Sequence, residues 1–285
     1  LAENVLITGT PRSGTTLTCH LLSEVPDTVA LHEPMRVRDF AELGGPDAIA
    51  DEVQRFCDEQ RASLHERGVA ISKNVGGKVP DNPHGSAKNE STGLRRSNAS
   101  KGEIEVTKPL SRDFTLVVKH NAAFTAVLGA LADRFRVYAI MRNPLSVVAS
   151  WNSIDFNAQR GHVPAGERLD PELKATLEGL DDPLDRQLHI LGWFHERWHR
   201  YLPEENMIRY ESVVESGGSA LGVIQPLAAS LDEPLESRNL SRLYDREMIM
   251  RIADRLLASE GAHWSSYSRE SVEELLEAFT SQTAG

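Results

Sequence analysis

The stretch Leu6–Pro26, LITGTPRSGTTLTCHLLSEVP, constrains this chain more than any other. The apolar run Val5-Leu6-Ile7 ends at Gly9, a turn holding Pro11, Arg12, Ser13 and Gly14 follows, and a helical pattern begins. A strand, a glycine-bounded loop and a helix make a phosphate-binding loop. The two glycines permit the turn and a close backbone approach. The N–H groups of Ser13 to Thr16 open a helix, so they have no helical carbonyl to bond and point at an anion. Thr15 and Thr16 add hydroxyl donors, and Arg12 adds a planar charged fork. A nucleoside-triphosphate loop needs Lys where this chain has Thr15, and an acidic magnesium ligand at another strand end. The apolar strand Val137–Met141 ends in Arg142 instead. The loop therefore suits an anion held without a metal.

Short apolar runs at Val5–Thr8, Val29–Leu31, Thr115–Lys119, Val137–Met141 and Met207–Tyr210 read as strands. Helical patterns at about 14–24, 46–67, 123–134, 144–153, 183–201, 240–258 and 269–281 separate and follow them. Alternation of this kind predicts an α/β fold, a P-loop-like parallel β-sheet flanked by helices on both faces. The 285 residues suit one domain spanning 1–285. Two long loop insertions interrupt it, at about 68–112 and 155–183. The first is rich in Gly, Ser, Asn and Pro, and its Lys and Arg outnumber its Asp and Glu, against the trend of the chain. Loops of this length are functional or disordered, and the two readings of these segments are a flexible insertion and a lid on the substrate side.

A second motif fits the first. In VYAIMRNPLSVVASWNS, residues 137–153, a strand ends at Arg142, Pro144 opens a helix, and Ser150 lies eight residues after the Arg. An Arg and a Ser placed this way can converge on one phosphate. Together the two motifs resemble those of the PAPS-dependent sulfotransferases, and TPRSGTTL is closest to the tyrosylprotein-type and bacterial forms. PAPS is 3′-phosphoadenosine 5′-phosphosulfate. The resemblance spans roughly residues 4–34, 115–153 and 206–213. It implies the sulfotransferase fold, transfer of a sulfuryl group from PAPS to a hydroxyl or amine, and release of PAP. It implies that Pro11, Arg12, Ser13, Gly14, Thr15 and Thr16 hold the 5′-phosphosulfate, and that Arg142 and Ser150 hold the 3′-phosphate. Tyr210, in IRYESVV, is similar to a family tyrosine at the adenine.

The same resemblance assigns the chemistry. A catalytic Glu follows the loop Arg by 21 residues in the tyrosylprotein branch, and Arg12 plus 21 lands on Glu33. His32 is adjacent, and strand alternation turns only one of the two toward the site. Lys119 matches the lysine that stabilises the transition state. His120 loosely resembles the base position of the cytosolic branch, but His-Asn replaces the family's Asp-Pro there. Arg12 stands where the cytosolic branch usually has Lys.

A rival motif is HERWH, residues 195–199, an H-E-x-x-H pattern that would place two zinc ligands on one helix face with Glu196 as base. The same helix carries Leu184, Leu188, Leu191, Trp198 and Tyr201, an apolar stripe expected in a core. The competing readings are a P-loop kinase, an HExxH zinc hydrolase, and a PAP-binding module without turnover. No metal is expected. A formal net charge of −11 argues against nucleic acid and against polyanionic acceptors. It leaves a small-molecule, sugar or lipid/polyketide alcohol acceptor. Two cysteines, Cys19 and Cys57, give no disulfide framework and point to a cytoplasmic protein. No run approaches the ~18 apolar residues of a membrane span. The chain opens on Leu1, which suggests a trimmed or processed start, and a removed targeting segment would leave no trace in it. Oligomeric state has no signature.

Overall fold

The computed structural model describes residues 3–91 and 93–282, except that nothing is said of the side chains of 85–87 and 282. In chain order the elements begin with β1 (Glu3–Gly9), α1 (Thr15–Glu24), β2 (Thr28–His32) and α2 (Pro46–Arg67). Four strands follow: β3 (Val69–Asn74), β4 (His84–Lys88), β5 (Arg95–Ser97) and β6 (Ser100–Glu105). Next come β7 (Thr115–Lys119), α3 (Ala122–Ala126), α4 (Leu128–Ala132), β8 (Arg136–Met141) and α5 (Pro144–Asn152). The chain goes on through α6 (Pro164–Leu169), α7 (Pro171–Glu178), α8 (Pro183–Tyr201), β9 (Met207–Arg209), α9 (Tyr210–Glu215), α10 (Arg246–Leu257) and α11 (Arg269–Gln282).

The five strands read from the sequence form one parallel sheet in the order β2-β7-β1-β8-β9. All five residues of β2 and of β7 are buried, which is why these strands read as continuous apolar runs rather than alternating ones. The sheet is flanked by helices, as the alternation predicted. Because β7 and β8 pair on opposite sides of β1, the order reverses around the central strand. The carboxyl ends of β1, β7 and β8 then open into one crevice, the usual ligand position in such sheets.

The two expected loop insertions are corrected. Within 68–112, β3 pairs antiparallel with β6, from Val69 against Glu105 to Asn74 against Ser100. β4 pairs with β5. The partners β3 and β6 are a quarter of a hundred residues apart, so no short turn announces them. Within 155–183, α6 and α7 form. Pro164, Pro171 and Pro183, which suggested a loop, each occupy the first helical position, where a missing N–H costs nothing.

Smaller boundaries move for similar reasons. The pattern at 240–258 is helical only from Arg246, because Asp245 caps that helix by accepting from Met248 N. The pattern at 123–134 is divided at Val127 into α3 and α4. Tyr210, read as the end of a strand, is instead the first residue of α9.

Candidate active site

A cavity of about 800 Å³ opens at the carboxyl ends of the parallel strands. One wall is the loop after β1. Gly14 has φ 94°, and a Cβ there would lie 2.6 Å from Cδ2 of Tyr210, so the loop packs directly under that ring. Arg12 takes φ 74°, a left-handed conformation that a non-glycine residue holds only where its surroundings impose it. Thr18 is the first residue of α1 bonded back to the loop, at Gly14 O (2.9 Å), which leaves the N–H groups at Thr15 and Thr16 facing the cavity end of the helix.

The expected anion ligands converge. Arg12 Nε donates to Ser150 Oγ (3.2 Å), and Arg142 NH1 donates to Arg12 O (3.0 Å). The Arg142 guanidinium stacks 4.6 Å above the Tyr210 ring, so Tyr210 is in the same group. Thr15 and Thr16 are buried and line the cavity with Pro11 and Gly14. Ser13 behaves differently: its hydroxyl donates to Thr10 O (2.8 Å) and Ile140 O (2.6 Å), tying the loop to β8 rather than facing the cavity.

Neither arginine has an acidic partner among the described residues. Arg12 NH1 meets Asn82 Oδ1 (3.1 Å) and the ring nitrogen Nδ1 of His84 (3.0 Å). Arg142 Nε meets Asn239 Oδ1 (2.7 Å), and its NH2 lies 3.4 Å from Tyr244 OH. Burial and the nearby Arg142 push the Arg12 guanidinium down to about 10. His84 falls to about 3, by burial and then by Arg12 and Arg95, so it faces Arg12 as a neutral acceptor.

At the other end of the cavity stands Glu33. It follows β2 with φ 45°, a second left-handed non-glycine residue. This twist ends the strand alternation, so His32 and Glu33 both line the cavity, contrary to the expectation that only one would. Glu33 Oε1 accepts from Lys119 Nζ (2.8 Å), and Oε2 accepts from Lys73 Nζ (2.5 Å). Burial raises the Glu33 carboxyl, but Lys119 and then Lys73 outweigh it and hold it well below its ordinary value. His32 is pushed down to about 3 by burial and by Lys119.

His120 sits at the same strand end as Lys119 but does not line the cavity. Its Nε2 accepts from Met35 N (3.1 Å), and its ring meets Phe124 edge-on at 5.0 Å. Burial keeps it well below its ordinary value, hence neutral. The two rings of HERWH are likewise occupied. His195 Nδ1 and His199 Nε2 both lie on Ser266 Oγ, at 2.8 and 2.9 Å, while Glu196 is exposed. Among the described residues no group of three or more His, Cys, Asp or Glu is placed to hold a metal. Trp264 donates to Ser259 O and stacks against Arg269, away from the cavity.

Sequence reasoning missed Lys73, Asn82, His84, Asn239 and Tyr244. The surplus of Lys and Arg in 68–112 was the one available signal for Lys73.

A family model described as "Sulfotransferase family" matches residues 4–234. The chain belongs to the sulfotransferase family. No curated protein matches it. Among solved structures, sulfotransferase STF9 from Mycobacterium avium aligns at 12% identity over 99% of this chain and 76% of that one, with a TM-score of 0.32, too low to bear on the fold. The match runs from the start of β1 to the segment 233–234 on the cavity rim, so this sulfotransferase carries the β3–β6 hairpin within its matched region. Among the described residues no helix is long and apolar enough to cross a membrane.

Proposed function

We propose that the chain transfers a sulfuryl group from PAPS to a hydroxyl or amine and releases PAP. The observation that carries this reading is the pair Arg12 and Arg142, two guanidinium groups joined through the loop backbone with only neutral partners among the described residues. Buried or half-buried charges without counter-ions are costly, and a ligand with two separated anionic groups would remove that cost. Arg12 with the first turn of α1 suits the 5′ end of such a nucleotide. Arg142 with Ser150 suits a 3′-phosphate, and Tyr210 lies where a base would be flanked. PAPS supplies an activated sulfuryl group on its 5′-phosphate.

The remaining roles belong to the chain. Glu33 Oε2 takes the proton from the acceptor hydroxyl as its oxygen bonds to sulfur. Lys119, held in place by the fully buried strand β7, stabilises the charge that stays on the phosphate oxygen when the sulfur–oxygen bond breaks. Neutral His120, with its lone pair used by Met35 N, has a structural part in holding the turn after β2.

Calorimetry with PAP, AMP and ATP tests the reading. PAP should bind about tenfold or more tightly than AMP, because charge-assisted contacts to the extra phosphate contribute about 1.5–3 kcal/mol. ATP with magnesium should show no advantage over AMP. Equal affinity for PAP and AMP refutes the 3′-phosphate assignment.

A further inference from the structure

The β3–β6 hairpin sets Lys73 and Lys101 directly opposite one another in antiparallel register. Like charges at such a pair weaken the pairing, so the arrangement calls for a reason beyond folding. Both side chains reach toward the segment that follows β2. Lys73 Nζ donates to Glu33 Oε2, and Lys101 Nζ donates to the neutral carbonyl of Met35 (2.6 Å). Arg36, exposed on that segment, adds a third cation near Lys101, whose ammonium is lowered by burial and then by Lys73 and Arg36. Asp39, the other acid acting on Lys101, is paired with Arg38. Lys119 and Lys73 both pair with Glu33, Lys101 lies close enough to feel its charge, and Arg36 lies beside Lys101, in a chain whose net charge is −11. Of the other acids on the cavity wall, Asp81 is tied to Arg238, and Glu24, Glu233 and Glu236 lie on the end of α1 and the 233–236 rim.

Resting on the sulfotransfer reading, we infer that the acceptor is itself an anion: a small hydroxyl compound with a carboxylate, sulfate or phosphate group, held by Lys73 and Lys101 of the hairpin. This gives the double hold on Glu33 a purpose. While Lys73 occupies Oε2, that oxygen cannot receive the acceptor proton. An anionic group on the acceptor draws Lys73 away and frees Oε2, while Lys119 stays on Oε1. A neutral acceptor leaves Lys73 where it is. Lys73 thus acts as a positioning residue that reads the acceptor and releases the base.

The test uses the full chain saturated with PAP and two matched probe pairs, 4-hydroxyphenylacetate with 4-ethylphenol and glucose 6-phosphate with glucose. Binding is followed by ligand-observed NMR. At least one anionic member should bind about tenfold or more tightly than its neutral partner, and the preference should shrink between about 0.05 and 0.5 M salt as charges are screened. Lys101→Gln should reduce the preference several-fold, and Lys73→Gln with Lys101→Gln should abolish it. Should Lys73→Gln fail to fold, Lys101→Gln alone still decides. No preference for either anion, or a preference that survives both substitutions, overturns the inference. PAP affinity measured on the same samples separates the two readings. Loss of PAP binding in the wild type would sink the sulfotransfer reading, whereas PAP binding without anion preference sinks only this one.

Discussion

The two ends of the cavity solve opposite electrostatic problems. At the loop end, Arg12 and Arg142 are cations with amide, hydroxyl, imidazole and carbonyl partners and, among the described residues, no acid. At the hairpin end, Glu33 is an acid with two lysines, one on each oxygen. The first arrangement is incomplete until an anion arrives. The second is complete already, and a reacting group must displace part of it. Binding at the loop end should therefore follow the charge of the ligand directly, while chemistry at the hairpin end should depend on how Glu33 is released.

The largest effect should come from Glu33→Gln. Gln keeps the shape and can accept from one of the two lysines through its carbonyl oxygen, but its amide nitrogen cannot accept from the other and it cannot take a proton. Turnover of PAPS with an acceptor found by a hydroxyl panel should fall about 10²–10⁴-fold, the range for losing a general base. PAP affinity should stay within about twofold, because among the described residues neither Arg12 nor Arg142 is hydrogen-bonded or ion-paired to Glu33. A variant that keeps wild-type turnover moves the base elsewhere, and His32→Asn is then the next substitution to measure.

Arg142→Ala should act at the other end alone. PAP affinity should fall about 10–100-fold and AMP affinity by much less, so the preference for PAP disappears. Calorimetry reads both. If AMP loses as much as PAP, Arg142 serves the loop through Arg12 O rather than a 3′-phosphate, and the contrast between the two ends fails at its first half.

The loop end was legible in the sequence because each candidate residue lies on or just after a core element that the chain announces locally. Val5 to Gly9 give the strand, Gly14 the helix start, and Arg142 with Ser150 fall eight residues apart across the Pro144 helix start. The hairpin end was half legible. Glu33 follows the buried parallel strand β2 and Lys119 ends the buried parallel strand β7, so the sequence pointed to both as candidates. Lys73 rides on a strand whose partner β6 is distant in sequence and whose burial alternates weakly, so neither periodicity nor turn chemistry exposed it. The helices at Pro164 and Pro171 were hidden by the same residue that starts them. Glu33 also defeated strand alternation, because its left-handed backbone is set by tertiary contacts such as its N–H to Lys119 O.

A third region checks that the contrast concerns the cavity and not buried polar groups in general. His195 is buried in α8 against Trp198 and bonded to Ser266, with Nε2 lacking a partner among the described residues. His195→Ala should lower Tm by on the order of 5 °C, as a core truncation does. It should leave PAP affinity unchanged. Purified protein should carry no stoichiometric zinc by plasma mass spectrometry, and activity should survive EDTA. One zinc per chain, lost in His195→Ala, would revive the HERWH reading.

The smallest effect is the most specific to the hairpin end. Lys119 and Lys73 hold the Glu33 carboxyl well below its ordinary value despite burial. A carboxyl depressed in this way adds stability that is fully present above its unfolded value, near ~4.3, and is lost as pH falls through the lower folded value. Glu33→Gln leaves Lys119, 2% exposed along its side chain, with no acid partner. The variant should therefore melt about 2 °C or more below wild type at neutral pH. That gap should hold from pH 7 to about 5 and narrow progressively below about 4.3, where the unfolded carboxyl takes its proton first, until at lower pH the folded Glu33 is protonated too and resembles Gln. Differential scanning fluorimetry across that range reads it directly. A gap independent of pH would mean that the charge on Glu33 does not stabilise the fold. A variant more stable than wild type at neutral pH would mean that the left-handed backbone and the desolvated carboxylate cost more than the two lysines return, which places Glu33 among groups kept for chemistry at the expense of stability.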